Sequence, residues 1–212
     1  MTGDRRLCLQ ALSGATIYVV AGSLWAAYGV YWLGPVARPW PIAALALIVP
    51  GLCLGIVRLR TRVGRLPAHA PSEDEQRREA RTGRSFMAVN AVQGVAIFLA
   101  VQVCANLGVP EYLPPAISLI VGMHFLALAP ILRRPSQWFI GTTMCLLALL
   151  TVLAIPKHHT TALAAATPVL LWGVIPGIGN AFLLWSFGAR SLLRAAAQLR
   201  CDPQAQLRRG SA

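Results

Sequence analysis

Charge is what this sequence has least of. Only 12% of its 212 residues are Asp, Glu, Lys or Arg, about half the share of an ordinary soluble domain. Acidic side chains are rarer still, seven against 19 basic ones, and Lys157 is the only lysine. Apolar residues make up 56% of the chain. So apolar a chain can bury enough surface to order itself, which excludes a disordered protein. Cysteine is sparse too. Cys8, Cys53, Cys104, Cys145 and Cys201 are scattered with no C-x-x-C spacing, which excludes a secreted disulfide scaffold. They read as small core or tail residues. There is no P-loop, G-x-S-x-G elbow, H-E-x-x-H or pair of carboxylates, so no catalytic residue, metal ligand or cofactor follows from motif chemistry.

Long apolar runs are what the chain does have. Six stretches, 12–34, 40–57, 86–109, 113–132, 138–156 and 165–188, hold no Asp, Glu, Lys or Arg in their interiors. A helix of roughly 20 apolar residues spans the hydrocarbon core. A charge at its centre costs at least about 2.5 kcal/mol. The first run outlasts the roughly 7–15 residues of a signal-peptide h-region. These runs predict an all-α fold, an integral membrane bundle of six transmembrane helices forming one domain over 1–212. Segment 58–85 is then a loop with a short helix, and 189–212 a tail.

Basic residues set the orientation. Arg5, Arg6, the eight arginines of 58–85, Arg133, Arg134 and the five from Arg190 onward fall on one side, and only Arg38 and Lys157 on the other. Both termini are therefore expected in the cytoplasm. That placement also accounts for the net charge of +12 through topology and anionic headgroups, so nucleic acid is not an expected partner. The near-exclusive use of arginine suggests a GC-rich bacterial genome, and with it a bacterial cytoplasmic (inner) membrane protein. The lipid bilayer is its expected partner; a protein partner or a homo-oligomer stays open.

In the 58–85 loop, Ser72-Glu73-Asp74-Glu75 reads as a capping box, with Ser72 as N-cap and Glu75 three positions on. Glu73–Arg77 and Asp74–Arg78 are i,i+4 pairs. The short 108–115 connection makes the third and fourth spans antiparallel neighbours, and Pro114 and Pro115 suit a first helical turn. The helical pattern continues past the sixth span to Pro203. A shift of 72 residues lays Val20-Ala-Gly22 on Val92-Gln-Gly94, Leu47-Ile-Val49 on Leu119-Ile-Val121, and Trp40 on Tyr112, the pattern of a parallel two-span repeat.

Function in such a chain shows in polar residues at membrane depth. Counted at 1.5 Å per residue from the basic ends, Tyr18, Gln93, His124 and Asn180 all lie about 9–12 Å in, with Asn90 one turn below Gln93. His124 is the only Asp, Glu, Lys, Arg or His well inside any span. An imidazole can carry a proton, ligate a metal or hydrogen-bond a ligand. Tyr18, Asn90, Gln93, His124 and Asn180 are thus candidate ligand-binding residues. The other reading of the layer is interhelical hydrogen bonding, which needs no ligand.

Pro50-Gly51 in the second span and Pro176-Gly177-Ile-Gly179 in the sixth are either helix breaks that line a site or small residues for close packing. Gln102, Asn106 and Glu111 lie towards the outer interface. Lys157-His158-His159 lacks further ligands nearby for a metal. The absence of any carboxylate within the spans argues against a carboxylate-driven proton or sodium pump.

Val121-Gly-Met-His124-Phe-Leu-Ala-Leu-Ala, with Trp138 opening the next span, resembles the G-x-H-F-x-P pattern of a family of small uncharacterised bacterial multi-pass membrane proteins. Gly22-Ser-Leu-Trp25 and Leu47-Ile-Val-Pro-Gly51 are similar to further elements of that family. Ala127 stands where the pattern has Pro. The resemblance implies the six-helix architecture and draws attention to His124; it carries no activity. Three functional readings remain open: a permease-like protein for a small molecule or ion, a structural or regulatory subunit acting through its basic loop and tail, and an enzyme or haem carrier using His124.

Overall fold

The computed structural model describes residues 3–33, 38–65, 72–155, 160–161 and 169–200. Lys157-His158-His159, Cys201 and Pro203 lie outside these. Six long helices dominate: α1 Gly3–Tyr31, α2 Pro39–Gly64, α3 Glu73–Asn106, α4 Leu113–Leu132, α5 Pro135–Ala154 and α6 Leu171–Arg200. Each is long and apolar enough to cross a membrane, so the chain is an all-α, multi-pass membrane protein. A single 3-10 turn, Pro110–Tyr112, precedes α4. Two-residue strands β1, Thr160–Thr161, and β2, Val169–Leu170, pair antiparallel before α6.

Several helices outrun their apolar runs. Helix α2 continues through Arg58, Arg60 and Arg62 to Gly64, and residues 73–85 are the first turns of α3 rather than a separate short helix. Arginine is a good helix former and can snorkel, so neither helix must stop where lipid does. Helix α6 starts at Leu171 because Val169 and Leu170 are paired with Thr161 and Thr160.

The start of α3 is set locally. Glu75 N–H donates to Ser72 Oγ at 3.3 Å, and Ser72 N–H donates to Glu75 Oε2 at 3.0 Å. This is the capping box read from the sequence, and Arg77 approaches Glu73 at 4.0 Å. Losing an N-cap hydroxyl costs about 1 kcal/mol of helix stability. Ser72→Ala should therefore speed amide exchange at Glu75 and Gln76 while the global melting temperature stays nearly fixed.

The chain divides into two compact units, one of Met1–Leu24, Ile42–Ala70 and Ala181–Ala212, the other of Trp25–Pro41 and Pro71–Asn180. In the first, Cys8, Leu12, Ala15 and Val19 of α1 pack with Ile56 and Val63 of α2 and with Leu192 and Ala195 of α6. Cys8 Sγ donates to Gln198 Oε1 at 3.4 Å.

The second unit is built on two hairpins. Helix α3 ends in a Schellman motif: Val109 N–H donates to the Cys104 carbonyl and Gly108 N–H to the Ala105 carbonyl, with Gly108 at φ 66°. Pro114 and Pro115 sit in the first turn of α4, where a missing N–H costs nothing. Helices α4 and α5 are joined by Arg133 and Arg134 alone, with Arg133 left-handed at φ 50°. Their backbones come close at Gly122 and Gly141: a Cβ on Gly141 would lie 2.6 Å from the Gly122 carbonyl oxygen. Arg38 closes the end of α1, its Nε donating to the Leu33 carbonyl and its Nη2 to the Tyr31 carbonyl. A basic residue here suits the negative end of the helix dipole.

Candidate functional site

Helix α4 presents different faces to its two hairpin partners. Gly122 lies against α5. His124, two residues on, is rotated about 200° around the axis and reaches the backbone of Val89 on α3. His124 Nδ1 is buried without a hydrogen-bond partner. The ring packs edge-on against Phe125 at 5.6 Å. His124 thus faces the Val89 stretch of α3, with a buried ring nitrogen that no protein group meets.

Gln93 is one turn along α3 from Val89, and both are half-buried. Asn90 is held on its own helix, Nδ2 donating to the Phe86 carbonyl at 2.7 Å. Val89, Asn90 and Gln93 thus lie within about one turn of each other on α3.

Asn180 has a different neighbour. It is fully buried, and its Nδ2 donates to Ser118 Oγ at 2.8 Å. Ser118 in turn donates to the Met144 carbonyl at 3.2 Å. A hydrogen-bond chain therefore ties α6 to α4 and α4 to α5. Ser118 is six residues from His124 on α4, about 9 Å along the axis. Nothing in the sequence singles out Ser118, because a lone serine in an apolar helix is an ordinary small residue. Tyr18 belongs to the other compact unit, where its ring lies 6.3 Å from that of Phe187.

The glycine and proline candidates sort by their neighbours. Helix α6 runs unbroken through Pro176. A Cβ on Gly177 would strike the Gly29 backbone of α1, one on Gly173 the Trp32 ring, and one on Gly179 Leu147 Cδ2 at 2.6 Å. The G-x-x-x-G pair of α6 is a packing device, against α1. Helix α2 is likewise continuous through Pro50, but a Cβ on Gly51 would meet nothing within 4 Å, and one on Gly55 only Leu192 at 3.4 Å. Among the described residues no group of three or more His, Cys, Asp and Glu could hold a metal.

An aromatic group clusters at one end of the second unit. Trp25, Tyr28 and Tyr31 of α1 and Trp32 just past its end form a run of edge-to-face contacts. Tyr112 packs at 5.0 Å on Trp172, whose indole N–H donates to the Ile155 carbonyl at 3.0 Å. Such clusters suit a membrane–water interface.

Residues 84–178 match a family of unknown function (DUF7010). The matched stretch is a little under half of the chain. It runs from the middle of α3 into α6 and contains Asn90, Gln93, Ser118, Gly122, His124 and Gly177, and it stops just short of Asn180. It brings no activity with it. No curated protein and no solved structure matches the chain.

Proposed function

We propose that this protein is a permease-like protein of the bacterial cytoplasmic membrane, with both termini in the cytoplasm, that binds a small polar molecule or ion at His124 with Asn90 and Gln93 beside it. The observation that carries the reading is the buried, unpartnered Nδ1 of His124 on the one titratable side chain of its kind within any span. An unmet polar nitrogen at membrane depth costs on the order of 1–3 kcal/mol, a cost that a hydrogen-bonding ligand removes. Ionisable groups inside spans mark substrate and ion pathways more often than they mark packing.

The test is a thermal-unfolding screen of small polar metabolites and ions on detergent-purified protein, wild type beside His124→Ala. A ligand present at a hundred times its Kd stabilises by roughly 2.7 kcal/mol. The expected result is a compound that raises the melting temperature of wild type and leaves His124→Ala unmoved. Equal shifts in both proteins for every hit would remove His124 from the site.

A structural or regulatory subunit is the second reading. It is favoured by α3, whose most apolar window has no buried residue and so offers a full face to lipid or to another subunit, and by the Asn180–Ser118 bond, which spends a polar pair on holding helices together. In that case the screen finds no ligand, and His124→Ala merely melts lower than wild type.

A further inference from the structure

One face of α2 changes character along its length. At 3.6 residues per turn, positions 47, 51, 54, 58 and 62 of α2, and 65 just past its end, fall within an arc of about 80°. They are Leu47, Gly51, Leu54, Arg58, Arg62 and Arg65, and all six are exposed. Leu47 is 78% and Leu54 50% exposed, and the side of Gly51 is open space. The opposite side of the helix, with Ile56 and Val63, is the one packed against α1 and α6. The apolar half of the exposed stripe belongs to the uncharged run 40–57, and three arginines follow it. Arg190 and Arg194 of α6, also exposed, stand in the same compact unit. That unit has only two acidic residues, Asp4 and Asp202, in its sequence.

We propose that this stripe is a binding site for an anionic glycerophospholipid, its phosphate on Arg58, Arg62 and Arg65 and an acyl chain along Leu54, Gly51 and Leu47. Charge complementarity selects the ligand. A guanidinium fork matches a phosphate in two hydrogen bonds, which an ammonium cannot do. The order of the stripe, apolar then cationic, is that of a lipid and not of a free anion or of a nucleic acid, neither of which has a use for Leu47 and Leu54. Gly51 then has a reason to lack a side chain, since a chain can lie against bare backbone there. This site is separate from His124 and stands or falls without it.

The experiment uses the full-length protein in detergent, titrated with phosphatidylglycerol, with phosphatidylcholine and with inorganic phosphate, with bound lipid counted by native mass spectrometry. Wild type should prefer phosphatidylglycerol over phosphatidylcholine by tenfold or more. Each arginine near the surface contributes about fivefold, so Arg58→Gln/Arg62→Gln/Arg65→Gln together should lower phosphatidylglycerol affinity about a hundredfold and leave phosphatidylcholine binding unchanged. Arg77→Gln/Arg78→Gln/Arg81→Gln on α3 should stay within twofold of wild type. If the triple α2 variant does not fold, Arg62→Gln alone should still show about a fivefold loss. Undiminished phosphatidylglycerol binding in the α2 variant would overturn the assignment. So would an equal loss in the α3 variant, which would mean unspecific surface charge, or displacement of the lipid by millimolar inorganic phosphate, which would mean a site for the free anion.

Discussion

Gly177→Leu should leave little folded protein, and Gly177→Ala should melt several degrees below wild type. A Cβ at this position runs into the Gly29 backbone, and backbone cannot step aside as a side chain can. Overpacking of this kind costs up to about 3 kcal/mol. Alanine returns about 1 kcal/mol of helix propensity, leaving a net loss of about 2 kcal/mol. For a chain of this size each kcal/mol moves the melting temperature by roughly 2–4 °C, so a drop of about 4–8 °C is expected. Gly51→Ala is the matched control. It meets nothing within 4 Å, so only the propensity gain applies and its melting temperature should hold or rise. Gly29→Ala should mimic Gly177→Ala, and the double variant should cost less than the two losses added, because one separation of the helices relieves both clashes. Thermal unfolding in detergent reads all four proteins. A Gly177→Ala variant as stable as wild type would mean that α1 and α6 do not meet backbone to backbone there.

That pair of glycines shows where sequence reading stops. Gly51-x-x-x-Gly55 and Gly173-x-x-x-Gly177 are the same pattern on paper. Only one of them is a crossing point, because close approach is a property of two helices and the pattern sits on one. The elements themselves were legible: apolar length predicts six crossing helices, and the Ser72–Glu75 box and Pro114-Pro115 mark the starts of α3 and α4 through chemistry confined to a few residues. Helix ends facing water were less so. Hydropathy changes at Arg58, but the hydrogen-bond ladder of α2 has no reason to stop before Gly64.

The candidate site was half legible for a related reason. Depth along a helix can be counted from sequence, whereas the face a residue occupies and the neighbour it meets cannot. His124 and Gln93 shared a depth on adjacent antiparallel helices, and the structure sets His124 on Val89, one turn from Gln93. Asn180 shares that counted depth only when depth is measured from the end of the apolar run 165–188. It is the tenth residue of a helix that runs from Leu171 to Arg200, and it meets Ser118 instead. The G-x-H-F stretch gains a physical reading from the same faces. Gly122 lets α5 approach, and a Cβ there would lie 2.6 Å from Cys145 Sγ, while His124 on the opposite face engages α3.

Asn180→Asp should destabilise the protein severely at neutral pH, although it alters one atom. The site is fully buried. The amide N–H that Ser118 accepts is replaced by a carboxylate oxygen, and the Ser118 hydroxyl proton is already given to Met144. Two acceptors then face each other with no proton between them, at a depth where a charge alone costs about 2.5–3.5 kcal/mol. Lowering the pH far enough to protonate the carboxyl supplies the missing donor, since the acid O–H can hydrogen-bond Ser118 again. The sign is therefore the reverse of ordinary acid denaturation: the deficit against wild type is full at neutral pH and shrinks as the pH falls. Asn180→Leu separates charge from lost hydrogen bonding. It removes the donor to Ser118 and the partnerless Asn180 Oδ1 together, and replacing a buried polar group by an apolar one of similar volume is close to neutral when its partner stays satisfied. Ser118 keeps its bond to Met144, so Asn180→Leu should melt within a few degrees of wild type at every pH. Melting curves of the three proteins between pH 4.5 and 8 decide the matter. A pH-independent loss in Asn180→Asp would place solvent at Asn180, and a collapse of Asn180→Leu as deep as that of Asn180→Asp would make the hydrogen-bond chain itself, and not the avoidance of charge, the feature that holds α4, α5 and α6 together.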